Sequence, residues 1–316
     1  MTKVSILIPT LNSEKTLPLL LSLINKSNIN DIEVLIVDGG SRDRTLEIAK
    51  IYGAEIIGEN VRNIALARNI LLEKARGEIL IFLDSDVLIP PWFIDAHLQA
   101  HSIYPEIDIL SSTVFEVKTF PELDKLMKIP KPNNIRLFPA KRMADFIQMA
   151  LSLKRKIANV VKYDIEFTRA HEDGYYFHAA VKTGLKIYKT PDIIAFHYKP
   201  AKKHRLISNT KDSFKNASFP LFLKKFGLWY LKANIGHTVK FFIRMILMAS
   251  LILIITGETR GILIPLVFYY IIYPIYRKHF DPYILISELS TGLGEIYLLT
   301  SYLMKNLMKK IRFKDL

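Results

Sequence analysis

The sequence predicts an α/β domain on a largely parallel sheet, followed by a basic, apolar C-terminal region. Three observations lead there. Short apolar runs rich in β-branched residues alternate with helical patterns over residues 1–115. Polar turn residues follow directly on those runs. Positive charge is concentrated in the most hydrophobic parts of the chain.

The first apolar run covers residues 4–9, the second 33–37, and the third 78–83. Nearly continuous apolar runs of this length read as strands buried on both faces, and hence as a parallel sheet covered by helices. Helical patterns fill residues 14–24, 43–52 and 63–76, with Gly53 and Gly77 where C-terminal glycine stops belong. In such a βαβαβ arrangement ligands sit beyond the carboxyl ends of the strands. Pro9 to Asn12, Asp38 to Ser41 and Asp84 to Asp86 fall at those ends.

The 316 residues allow one domain of roughly 200 residues, expected over 1–200, plus a substantial appendage. The lack of cysteine excludes disulfides, thiolate metal sites and a cysteine nucleophile. The apolar run at 4–9 is too short for a secretory signal, so the first domain is expected on the cytoplasmic face of the cell membrane. Residues 201–316 hold 18 Lys and Arg against 6 Asp and Glu, out of a net +14 for the whole chain. That excess lies among apolar segments, a pattern selected by anionic lipid and not by nucleic acid.

Residues 118–162 are basic and broken by Pro121, Pro130, Pro132 and Pro139. Met143, Phe146, Ile147, Ala150, Leu151, Ile157 and Val161 then keep roughly helical spacing. This segment reads either as a helix packed on the sheet or as an amphipathic element lining the acceptor side at a membrane. Residues 201–240 read as basic interfacial helices with Trp229 and Tyr230 as anchors. Residues 241–276 read as a transmembrane or re-entrant helical hairpin, or as a buried helix pair. Residues 283–316 form an interfacial helix and basic tail; a third span would carry that tail to the wrong side.

The chemistry centres on Asp84-Ser85-Asp86. Two carboxylates at i and i+2 on a strand-to-loop turn can share a hard divalent cation, Mg²⁺ or Mn²⁺, which then bridges a diphosphate and acts as a Lewis acid. Val37-Asp38-Gly39-Gly40-Ser41-Arg42 is not G-x-G-x-x-G, which argues against a dinucleotide-dependent oxidoreductase.

Val4-Ser5-Ile6-Leu7-Ile8-Pro9-Thr10-Leu11-Asn12, Ile36-Val37-Asp38-Gly39-Gly40-Ser41-Arg42-Asp43, Ala67-Arg68-Asn69 and Phe82-Leu83-Asp84-Ser85-Asp86 resemble, in order and spacing, the GT-A fold, family 2 glycosyltransferases. The resemblance implies a Rossmann-like sheet, a nucleotide-sugar donor and an inverting transfer. It places Pro9, Thr10, Asn12 and Glu14 beside the nucleoside, with Asp38 accepting a hydrogen bond from the base. Arg68 would approach the base or diphosphate, and Asp84, Ser85 and Asp86 would hold metal and diphosphate. Asp38 and Ser41 also read as a turn followed by a helix cap. Further on, His171-Glu172-Asp173-Gly174-Tyr175-Tyr176 resembles the family's acceptor motif. By that resemblance Asp173 is the base that removes the acceptor hydroxyl proton, and Glu172 orients Asp173 or the acceptor. His197, ending an apolar run, is either a metal or diphosphate contact or a structural residue. A glycan acceptor, lipid-linked or otherwise, is expected beside membrane lipids. A polyprenyl-phosphate sugar synthase and a non-catalytic nucleotide-binding scaffold are the alternatives; Glu172-Asp173 and the intact Asp84 and Asp86 argue against them.

Overall fold

The computed structural model describes residues 4–27, 29–119, 123–141, 143–146, 149–167, 171–200 and 225–226. The chain divides into two units, Met1–Lys202 and Lys203–Leu316. The segments expected at 201–240, 241–276 and 283–316 lie outside the described residues, apart from Lys225 and Phe226. Among the described residues, no helix is long and apolar enough to cross a membrane.

The first unit runs β1 (Val4–Thr10), α1 (Leu17–Asn25), β2 (Ile32–Asp38), α2 (Thr45–Ile51), β3 (Glu55–Gly58), α3 (Ile64–Lys74) and β4 (Ile79–Leu83). It continues through β5 (Val87–Leu88), α4 (Phe93–Ile103), β6 (Ile109–Val117), α5 (Leu123–Met127) and β7 (Phe138–Pro139). It closes with β8 (Ala150–Lys154), α6 (Glu172–Lys182) and β9 (Ile187–Tyr198). The strands form one sheet in the order β3-β2-β1-β4-β8-β6-β9-β5, with β7 on β9.

Alternation along each strand explains the layers, because successive side chains leave a strand on opposite faces. On β1, Val4, Ile6 and Ile8 join one core while Leu7 joins the other. On β4, Ile79, Ile81 and Leu83 face the first core, Leu80 and Phe82 the second. The first core is closed by Leu17, Leu20 and Leu21 of α1 and by Phe93, Ile94 and Ala100 of α4. The second is closed by Ala65, Ala67 and Leu71 of α3 and by Tyr176, Phe177 and Ala180 of α6. Each fully buried Leu, Ile or Phe contributes roughly 1.5–3 kcal/mol against an exposed one.

Three expectations are corrected. The sheet is mixed: β1 to β4 are parallel, but β8 runs antiparallel to both β4 and β6. β8 occupies the stretch whose apolar spacing suggested a helix; Leu151 and Leu153 fill the second core while Ser152 turns to the opposite face. Gly77 is no helix stop, since α3 ends at Lys74 with Ala75 as an extended cap. Its requirement is steric: a Cβ there would lie 2.5 Å from the Ser5 backbone nitrogen.

On the α4 face, Ser152 meets two buried histidines. His97 reaches Ser152 and Ser112 at 2.8 Å through its two ring nitrogens, and His101 Nε2 reaches the same Ser152 hydroxyl at 2.8 Å. Burial pushes His97 down to about 3 and His101 down to about 4, the first reinforced by its histidine neighbour and the second by Lys154. Both are therefore neutral when folded. The unfolded chain, with an ordinary histidine value of about 6.5, takes up these protons first as pH falls. Stability should thus hold above pH 6.5 and fall from there toward pH 4, by about 1.4 kcal/mol per pH unit for each histidine. Thermal unfolding at pH 7 and pH 5 checks this, and His97→Gln should reduce the pH slope. A slope that His97→Gln leaves unchanged would count against it.

Candidate active site

The carboxyl ends of β1, β2 and β4 bring three loops together, and the motif residues mostly bind one another. Asp38, fully buried, accepts from Thr10 Oγ1 at 3.0 Å, from Ser41 Oγ at 2.5 Å, and from the Gly40 and Ser41 backbone N–H groups at 2.7 Å. Both its oxygens thereby fix the β2 turn, the structural role that the sequence left open. Gly40 needs its φ of +97° to close that turn.

The β1 loop is laced to the residues before α2. Asn12, at φ +50°, accepts from the Arg42 N–H at 2.9 Å while its own N–H reaches Ser41 Oγ at 2.8 Å. Glu14 accepts from the Arg44 N–H at 3.2 Å. Pro9 pairs with Val37 in the β1–β2 ladder. Ser13, which the motif reading missed, shares a 2.7 Å hydrogen bond with Ser85 and so ties the β1 loop to the acidic turn. That turn closes through the Val87 N–H on the Asp84 carbonyl at 3.0 Å.

Arg68 joins the two halves of the site. Its side chain is only 5% exposed, and it reaches Asp84 Oδ1 at 3.2 Å through one amino group and Glu172 Oε1 through the other. The Tyr163 ring lies below the guanidinium, 5.7 Å from centroid to Cζ, and stacks on Tyr176 at 4.2 Å. Two asparagines of the α3 segment build this platform. Asn69 exchanges two 2.8 Å hydrogen bonds with the Tyr163 backbone, and Asn63, the α3 N-cap, donates to the Ile165 carbonyl at 2.8 Å. Asn69 stood in the quoted motif, but nothing in the sequence showed that Tyr163 was its partner.

Glu172 and Asp173 open α6, behind His171 at φ +69°. A left-handed histidine is strained, and such residues gather where a site dictates the backbone. Asp173 Oδ1 accepts from the Gly174 N–H at 2.7 Å, and the side chain is half-buried. Burial holds the Glu172 carboxyl above the ordinary range, Arg68 opposes this, and Asp173 adds to it. Arg68 Nε, Glu172 Oε2, His171 Nε2 and Tyr176 Oη are all buried without a hydrogen-bond partner. An unpaired buried polar atom costs about 1–3 kcal/mol, so these four are a local cost to stability in this part of the fold.

On the other flank His197 lies on β9 opposite Val87, and its Nε2 is 3.2 Å from Asp86 Oδ2. The Asp86 hydrogen bond raises the His197 pKa against the effect of burial, with Asp84 and Glu116 adding to it. Asp84 is itself raised, first by burial and then by the nearby Asp86, against the pull of Arg68. The site therefore gathers Asp84, Asp86, Glu172 and Asp173 around Arg68 and His197, while Glu116 nearby is paired with Lys199 at 2.7 Å. A diphosphate is repelled by such a surplus of carboxylate unless a cation accompanies it. Among the described residues, no group of three or more His, Asp or Glu is arranged to hold a metal by itself. The hard oxygen donors of Asp84 and Asp86 are of the type that would hold such a cation.

Comparison with known proteins agrees with this arrangement. Residues 5–159 match the family model "Glycosyl transferase family 2". An uncharacterized glycosyltransferase of Bacillus subtilis is 41% identical over 106 residues, covering 31% of this chain and 27% of that protein. A PGL/p-HBAD biosynthesis glycosyltransferase of Mycobacterium tuberculosis is 33% identical over 138 residues, covering 39% of this chain and 53% of that one. These matches thus span about half or less of the curated relatives. A mannosyltransferase from Pyrobaculum calidifontis, solved with GDP-Man and Mn²⁺, shares the fold with a TM-score of 0.53 at 16% identity, over 94% of this chain and 86% of that one. The expected GT-A fold with a Rossmann-like sheet is therefore present, and this chain carries a glycosyl transferase family 2 domain over residues 5–159.

Proposed function

We propose that the chain is a metal-dependent, inverting glycosyltransferase moving a sugar from a nucleotide-sugar to a hydroxyl of a glycan acceptor. The observation that carries this reading is the Arg68 bridge, which holds the acidic turn of β4 and the carboxylates of α6 at one guanidinium. On this reading the bridge ties the donor-side carboxylates to the acceptor-side ones.

Asp84 and Asp86, with His197 beside them, would hold Mg²⁺ or Mn²⁺, which supplies charge neutralisation for the departing nucleoside diphosphate. Asp173 takes the proton from the acceptor hydroxyl as that oxygen bonds to the anomeric carbon. The bond from that carbon to the phosphate oxygen breaks on the opposite side, and its electron pair leaves with the diphosphate. Glu172, fixed by Arg68, orients Asp173 or the acceptor. The ligands in the Pyrobaculum structure, GDP-Man and Mn²⁺, are in keeping with this chemistry. The basic, apolar sequence of residues 201–316 supports a lipid-linked acceptor and attachment at the cytoplasmic face of the cell membrane.

The test uses the purified full chain with membranes, Mg²⁺ or Mn²⁺ and a panel of nucleotide-sugars, reading released nucleoside diphosphate. Asp173→Asn should lower kcat by about 10²–10⁴-fold, the usual contribution of a general base, with little change in donor KM. Full transfer by a folded Asp173→Asn protein would overturn the hydroxyl acceptor and favour a phosphate one, which needs no base.

A further inference from the structure

Two exposed arginines near the β2 turn, Arg42 and Arg62, have side chains with no carboxylate partner among the described residues, and the place of Arg62 suggests which nucleotide the donor carries. Arg68 is shared between Asp84 and Glu172. Arg62, in the loop between β3 and α3, is exposed, and its side chain has no hydrogen bond or ion pair among the described residues. Its loop is pinned to the site by the Val61 N–H on the Asp38 carbonyl at 2.8 Å, and by a turn from the Arg62 N–H to the Asn60 carbonyl at 3.0 Å. Asn60 supports that turn in a left-handed conformation at φ +59°. A methyl group built on Gly40 would lie 3.1 Å from Asn60 Oδ1 and 3.9 Å from Arg62 Nε, so the guanidinium lies against the Asp38-Gly39-Gly40 turn.

The direction of the donor follows from the glycosyltransferase reading, which puts the nucleoside beside Asp38. In the sequence β3-β2-β1-β4, the acidic turn that takes the diphosphate ends β4. With the nucleoside beside Asp38, the base lies over the β2 turn and the loop after β3. There Arg62 offers a planar fork of donors and no acceptor. Such a fork pairs with a ring carbonyl and has nothing to offer an exocyclic amino group, the distinction that arginine makes between bases elsewhere.

Resting on the glycosyltransferase reading, we propose that Arg62 is a specificity-determining residue for the donor base. It selects a base with a carbonyl at its outer edge, as uracil and guanine have, over one with an amino group, as cytosine and adenine have.

Calorimetric titration of the full chain with UDP, CDP, GDP and ADP in the presence of Mg²⁺ or Mn²⁺ tests this. The wild type should bind UDP over CDP, and GDP over ADP, by roughly tenfold. Arg62→Ala should bring those ratios close to one while leaving CDP and ADP binding little changed. Arg62→Lys keeps the charge but not the fork, and should not restore the ratios. A preference intact in Arg62→Ala overturns the proposal. So does an equal loss for all four nucleotides that Arg62→Lys repairs, which would make Arg62 a phosphate contact. A wild type that binds none of the four overturns the glycosyltransferase reading and this one with it.

Discussion

Replacing Asp86 by Asn is expected to lower metal-dependent turnover of the nucleotide-sugar by about 10²–10³-fold, the range seen when one preorganised electrostatic contact to the transition state is removed. Asp86 is the cleaner of the two metal candidates to replace. Its side chain is 41% exposed and its charged neighbour is His197 at 3.2 Å, whereas Asp84 also anchors Arg68. Removing its charge relieves the repulsion on Asp84 and loosens the cation that a diphosphate needs. Excess Mn²⁺ should recover part of the rate, because weaker metal binding is offset by mass action. The unfolding midpoint should change little. Wild-type turnover in Asp86→Asn at limiting Mg²⁺ would remove Asp86 from the metal site.

Arg68→Met is expected to destabilise the first unit as well as inactivate it. Glu172 would remain buried with no cation beside it, and breaking a buried pair from one side costs about 3–5 kcal/mol. For a domain of this size that is a drop in midpoint of roughly 10 °C. The sign with pH separates this cause from lost packing. Without Arg68 the folded-state pKa of Glu172 rises further above its unfolded value. Such a group favours folding while protonated and loses that contribution as pH rises through the folded pKa. The deficit against the wild type should therefore be smaller near pH 5 than near pH 8. Arg68→Met with Glu172→Gln should regain part of the loss, since the unpaired charge is gone. A deficit that is constant with pH, and unchanged in the double variant, would mean the pair contributes only packing.

Much of the donor side was legible because it is local. Each apolar run ends in its own turn, so Asp38 at the end of β2 and Asp84 after β4 could be placed at strand ends from spacing alone. What those residues touch was less legible. Asp38 spends both oxygens on its own turn and Thr10, and Arg68 is taken up by Asp84 and Glu172; each pairing depends on how distant segments pack. β8 was hidden for a related reason. Ala150-Leu151-Ser152-Leu153-Lys154 alternates as a strand should, but its apolar neighbours at Phe146, Ile157 and Val161 gave the longer window a helical period. The helix ends fared better where a side chain enforces them, as Asn63 does for α3 by accepting from the Leu66 N–H at 3.1 Å.

The position of β8 also bears on how the chain is made. Strands β1 to β4 emerge early from the ribosome, yet the neighbour that covers β4 on its open side arrives only with residues 150–154. Until then Ile79 to Leu83 present an unpaired, apolar edge, the kind of surface on which nascent chains associate with one another. Closing it joins residues far apart in sequence, a slow step in any topology. The insertion of one antiparallel strand thus makes this half-sheet dependent on chain not yet synthesised, and makes any cut before residue 154 a cut through the domain's own edge protection.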